Sequence, residues 1–222
     1  FFTYVEKNEK SYEKDFFESI KKFKKNSYEH PAAFMERFLK KDDTFCVLLH
    51  GDYNRNNVLF QYDNPEDFGG LKAVKMIDFQ EARFASPVID IAFFMYMSLP
   101  PSTRPLLWDK LLKLYHDTLI KCLTELLKCD ANDARLEPYN FENFLDHFGK
   151  HGCYGLMVSY HFLPWLLCPT EQCEKIGELF ETDMKSDAFR EILQICGGDK
   201  VDERLVSNAL HAFEKGYLKI FD

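Results

Sequence analysis

Val47–Gln80, which reads VLLHGDYNRNNVLFQYDNPEDFGGLKAVKMIDFQ, constrains this 222-residue chain more than any other stretch. The apolar run Phe45–Leu49 leads into His50, Gly51 and Asp52, and Asn57 stands five residues beyond Asp52 at the head of a second apolar run. After a turn rich in Asn, Pro, Asp and Gly, a third run ends on Asp78. Residues 58–62 and 71–77, joined by 63–70, read as an antiparallel hairpin. One strand of such a pair starts where the other finishes, so Asn57 and Asp78 are expected at the same end. Two carboxylates and an amide oxygen gathered at one edge suit phosphoryl transfer from a nucleotide. One carboxylate orients the attacking hydroxyl and accepts its proton, while the second, with the amide oxygen, holds magnesium against the phosphates. Asp52 fits the first task, and Asn57 and Asp78 the second. The plainer reading of Asp52 alone is a turn residue bonded to its own backbone. His50 reads as structural, because a magnesium-organised site already has its base.

Three segments in order, HGDYNRNNVLF, MIDFQEARFASPVIDIAFF and LYHDTL, resemble the ecdysteroid-kinase-like family, also called CHK-kinase-like. That family lies within the aminoglycoside phosphotransferase and choline kinase superfamily, whose members have a protein-kinase-like fold. The resemblance covers Phe45 to Leu119. It implies Asp52 as catalytic base beside His50, the family's loop-bracing histidine, and Asn57 and Asp78 as Mg2+ ligands. It also implies Asp90 as the acid that helps hold the loop, ATP as donor, and a small-molecule alcohol, ecdysteroid-like or other, as acceptor. The chain departs from the pattern at Asn54, where many members place Trp. Tyr115 and His116 match a Tyr-His pair of the family and read as a packing pair among leucines.

A formal net charge of −8 argues against a nucleic-acid partner, since tracking a phosphate backbone needs a basic face. The seven cysteines form no CxxC pair and no zinc spacing, which fits small buried hydrophobes in a reducing, cytoplasmic compartment. His147, His151 and His161 fall in no metal-binding frame. The most apolar long segment, 152–168, is short of the roughly 20 residues a membrane span needs, so no membrane partner is expected, and no targeting segment is visible.

The expected class is α+β: a mostly helical carboxy-terminal lobe of a protein-kinase-like fold over 1–222, with a short β-hairpin at its catalytic edge. No Gly-rich phosphate loop and no strand lysine precede Val47, so the amino-terminal nucleotide-binding lobe is expected to be absent. Two other readings stay open. One is a truncated, non-catalytic kinase-like binding or regulatory module, and the other a kinase of choline, ethanolamine or an aminoglycoside.

Along the chain, residues 1–14 read as an irregular lead-in. Helices are expected over 15–25 with Phe16, Phe17, Ile20 and Phe23 buried, and over 31–40 with Ala33, Phe34, Arg37 and Phe38 inward. Lys41–Asp43 should turn into the first strand. Further helices are expected over 89–99, with Asp90 either capping it or bracing the loop, and over 104–129, with a stripe of Leu107, Leu111, Leu114, Tyr115, Leu119, Cys122 and Leu126. A long helical region at 141–167 is interrupted by glycines. Its rings Tyr154, Tyr160, Phe162 and Trp165 are candidates to wall an acceptor pocket. Residues 171–196 and 201–217 complete the helices. Ser86 is the only hydroxyl in the 81–87 loop, and no phosphorylation switch is expected there.

Overall fold

The computed structural model describes residues 1–40, 44–64, 66 and 68–221; the turn expected at Lys41–Asp43 lies outside them. The helices are α1 (Phe2–Lys7), α2 (Lys14–Ser27), α3 (Pro31–Leu39), α4 (Val88–Ser98), α5 (Arg104–Leu127), α6 (Phe141–His151), α7 (Cys153–Leu167), α8 (Thr170–Thr182), α9 (Asp187–Ile195) and α10 (Gly198–Glu214). The strands are β1 (Val47–Leu49), β2 (Val58–Asn64), β3 (Gly69–Met76) and β4 (Arg83–Ala85). They form two antiparallel pairs, β1 with β4 and β2 with β3. The class is α+β and mostly helical, as expected. The chain divides into two compact units, Phe1–Met35 with Leu156–Asp222, and Glu36–Gly155.

In the first unit, α2 buries Phe16, Phe17, Ile20 and Phe23 along one side, and its lysines occupy the other. The rings of Phe2, Phe34 and Tyr160 surround Phe23, with centroids 6.0–6.2 Å away. The lead-in is not irregular. Phe2 and Val5, three residues apart, face inward and wind the chain into α1, a helix too short to show a period in sequence. Tyr160 donates its hydroxyl to Ser27 O at 3.2 Å and Trp165 packs against the core of α8 and α9, whereas Phe162 stays exposed. Tyr160 and Trp165 therefore pack within their own unit, and Phe162 does not.

The second unit holds both sheets. α4 is apolar on nearly every side, and buries Val88, Ile89, Ala92, Phe93, Met95, Tyr96 and Met97. A Cβ on Gly155 would stand 2.4 Å from Ala92 O, so only glycine lets the backbones approach this closely. The leucine stripe expected on α5 is not its buried face. Leu107, Leu114, Leu126 and Cys122 are exposed, and Arg104, Trp108, Leu112 and His116 turn inward at intervals of four. Trp108 decides the register: its indole is fully buried, 4.7 Å from the Tyr96 ring and 6.1 Å from Phe148. Burying so large a ring outweighs several leucines left at the surface. On α3, Phe34 and Phe38 are buried as expected, but Ala33 and Arg37 are exposed.

Candidate active site

Residues 50–57 join β1 to β2. β1 is held by β4 in the register Val47↔Ala85 and Leu49↔Arg83. As the chain leaves β1, two amide protons lose their ladder partners, and Asp90 in the first turn of α4 takes both. Its Oδ2 accepts from His50 N at 2.7 Å and its Oδ1 from Gly51 N at 3.1 Å. Asp90 therefore braces the loop, while α4 begins after Pro87 with no side-chain cap. Burial pushes the Asp90 carboxyl above its ordinary value, and the two amide bonds oppose that rise.

The His50 ring is buried, 4.5 Å from the Phe79 ring, and its Nε2 lies 2.7 Å from Ile77 O. A carbonyl only accepts, so Nε2 carries the proton, and Nδ1 has no partner among the described residues. Gly51 has φ +87°, and a Cβ there would stand 2.0 Å from Glu81 O. The loop is thus tied at His50 to the residue before Asp78, and at Gly51 to the turn just after it.

Asp52 is not a simple turn residue. Its Oδ1 accepts from Asn54 Nδ2 and its Oδ2 from Asn57 Nδ2, both at 2.8 Å. Its backbone carbonyl also accepts from Asn57 Nδ2, at 2.9 Å. A carboxylate oxygen and a carbonyl can only accept here, so the Asn57 amide must present its nitrogen to Asp52. Asn57 Oδ1 is then left without a hydrogen bond among the described residues. Asn54 was missed as a site residue by the sequence reading. Besides holding Asp52, its Oδ1 accepts from Asn56 N at 2.9 Å and starts the short turn that carries Asn57. The Asp-x-Asn-x-x-Asn spacing was the available signal.

β2 and β3 pair as Val58↔Met76, and Ile77 N donates to Asn57 O at 3.0 Å. Asn57 and Asp78 therefore sit at the same end of the hairpin, as the strand order required. Asp78 has φ 65° and ψ 62°, a left-handed conformation that Asp tolerates better than most residues. Its side chain is exposed and makes no hydrogen bond among the described residues.

No group of three or more His, Cys, Asp or Glu that could hold a metal occurs among the described residues. Magnesium needs no such group, since it binds through one or two protein oxygens and completes its shell with water and phosphate. The Asn57 amide oxygen and the Asp78 carboxylate are hard donors of that kind.

Beside the loop lies a cleft of about 340 Å³, lined mainly by apolar groups including Leu48, Tyr53, Met76, Phe79 and Tyr115, with His50 and Asp90 supplying polar atoms. Tyr115 stacks on Phe144, and burial pushes its hydroxyl up to about 12. The His116 ring bonds Tyr139 O at 2.8 Å, so the Tyr-His pair packs as expected. Ser86 is fully buried, with its hydroxyl 2.7 Å from His147 Nε2. In this state it is inaccessible to a modifying enzyme.

The sequence model of the ecdysteroid kinase-like family matches residues 1–128, more than half of the chain. No curated protein and no solved structure matches it. Among the described residues no helix is long and apolar enough to cross a membrane.

Proposed function

The chain belongs to the ecdysteroid kinase-like family, and from that premise we propose that it is an ATP-dependent phosphotransferase acting on a hydroxyl of a small, largely apolar alcohol. The observation that carries the proposal is the Asn57 amide. Its nitrogen is committed to Asp52, and its oxygen has no hydrogen bond among the described residues at the hairpin end where Asp78 stands.

Asp52 is the base. Each of its oxygens accepts one amide proton, which fixes the plane of the carboxylate and leaves a lone pair on each oxygen for the acceptor hydroxyl. Asn57 and Asp78 would hold the metal. Magnesium, when bound, neutralises charge on the transferring phosphoryl group. His50 and Asp90 are positioning residues: they fix where the backbone turns after β1 and so where Asp52 points. The apolar cleft beside the loop is lined by His50 and Asp90 but not by Asp52, Asn57 or Asp78, so an ecdysteroid-like alcohol as acceptor rests on the family rather than on that cleft. The net charge of −8 supports a small molecule over a nucleic acid. A cytoplasmic location belongs to the same proposal, on the strength of the unpatterned cysteines.

The test measures phosphate transfer from ATP by the natural full-length protein to a panel of steroids, choline and plant alcohols. Transfer to an apolar alcohol is expected. Asp52→Asn should lower turnover by about 10²–10⁴-fold with nucleotide affinity kept. Asp78→Ala should instead raise the magnesium concentration needed for nucleotide binding. Turnover near wild type in Asp52→Asn would remove the base assignment.

A further inference from the structure

The ends of α7 and α9 bring two thiols together, far in sequence from the residues of the proposed kinase site. Cys168 follows the last residue of α7 and Cys196 the last of α9. Pro164 O accepts from Cys168 N and from Cys196 Sγ, each at 3.1 Å. Cys168 Sγ donates to Trp165 O at 3.4 Å, so the two thiols sit on the carbonyls of adjacent residues of α7. Gly197 N donates to Gln172 Oε1 at 3.0 Å, which pins the segment after Cys196 to the start of α8. The cysteines differ in access: Cys196 lies in the core with Ile176, Phe189 and Ile192, whereas Cys168 is partly exposed. Burial pushes the Cys196 thiol up to about 12, so by itself it is a poor target for oxidants.

We propose that Cys168 and Cys196 form a reversible disulfide when the protein meets a hydroperoxide, clamping the α8–α9 hairpin to the end of α7. The partly exposed sulfur of Cys168 attacks the O–O bond as thiolate. An S–O bond forms and the O–O bond breaks; the leaving hydroxide or alkoxide takes up the proton that Cys168 lost on ionising and departs as water or an alcohol, giving the sulfenic acid. The Cys196 sulfur then attacks that sulfur. The S–S bond forms, the S–O bond breaks, and the departing hydroxide takes the Cys196 proton as water. Two thiols lose two electrons, and one hydroperoxide gains them. Cys196 is placed for the second step, because its sulfur rests on Pro164 O and that of Cys168 on the next carbonyl, Trp165 O. A dithiol reductant reverses the change.

For the test, the full chain is treated with hydrogen peroxide, alkylated and digested with trypsin. Cleavage after Lys150, Lys175, Arg190 and Lys200 places Cys168 on one peptide, with Cys153 and Cys173, and Cys196 alone on another. The expected product is these two peptides joined, about 2 Da below their summed mass and separated by dithiothreitol. The link should vanish in Cys168→Ala and persist in Cys173→Ala. Cys168→Ser, which keeps the side-chain volume at this partly exposed position, should lose it equally. A link that survives either Cys168 substitution, or that requires Cys173, overturns the proposal. So does Cys168 carried to sulfinic acid while Cys196 stays a free thiol.

Discussion

Replacing Asp90 by alanine deletes the acceptor of two amide protons at once. His50 N and Gly51 N donate to it at 2.7 and 3.1 Å, and His50 is only 5% exposed, so water cannot fully replace the lost partner. A hydrogen bond to a charged group contributes about 1.5–3 kcal/mol net. Against that, alanine relieves the cost of holding a carboxylate out of water, a cost apparent in the upward shift of its pKa. The balance is a loss of about 2–4 kcal/mol, read from urea unfolding with the slope checked for two-state behaviour. Amide exchange at His50 and Gly51 should accelerate with it. The sign of the pH dependence follows from the direction of the shift. Asp90 titrates higher in the folded chain than its ordinary 3.8. The protonated form is therefore favoured by folding, and that contribution is full below 3.8 and lost as the pH rises through the folded value. The advantage of wild type over Asp90→Ala should accordingly be largest in acid and shrink toward neutrality. Equal stability within about 0.5 kcal/mol at neutral pH, or an advantage that widens as pH rises, would refute the account of Asp90 as the brace of the loop.

Three other outcomes are expected. Gly51→Ala forces a Cβ to 2.0 Å from Glu81 O at φ +87°, and should cost at least about 3 kcal/mol of unfolding free energy. Asn57→Asp sets a carboxylate where an amide now donates to Asp52 Oδ2 at 2.8 Å, so stability should drop by about 1–3 kcal/mol at neutral pH and recover in acid, when the pair can share a proton. On α5, Leu112→Ala at 1% exposure should cost about 2–5 kcal/mol. Leu126→Ser at 80% exposure should change chemical denaturation by less than about 0.5 kcal/mol, and equal effects for the two would mean the helix is turned the other way.

By itself the sequence determined the class of the fold, the order of strand, loop and hairpin, and the placement of Asn57 and Asp78 at one end of the hairpin. Those are local matters: alternation over a few residues defines two strands, a short turn forces them antiparallel, and antiparallel pairing leaves no choice about which ends coincide. It also located most helices, because Phe16, Ile20 and Phe23 repeat at the helical period wherever the helix later docks. Tertiary structure alone decided the contacts that cross the chain. Asp90 reaches back some forty residues to the end of β1, Gly51 is required by the Glu81 carbonyl as well as by its own turn, and Cys196 reaches the carbonyl of Pro164, next to the one that holds Cys168, only once α8 and α9 have folded between them. The face of α5 was decided there too, since leucine periodicity offers several stripes and only packing around Trp108 selects one. Periodicity records which residues share a side. It carries no information about which distant group supplies the hydrogen-bond partner or the close contact, and that is settled only when loop closure brings the elements together.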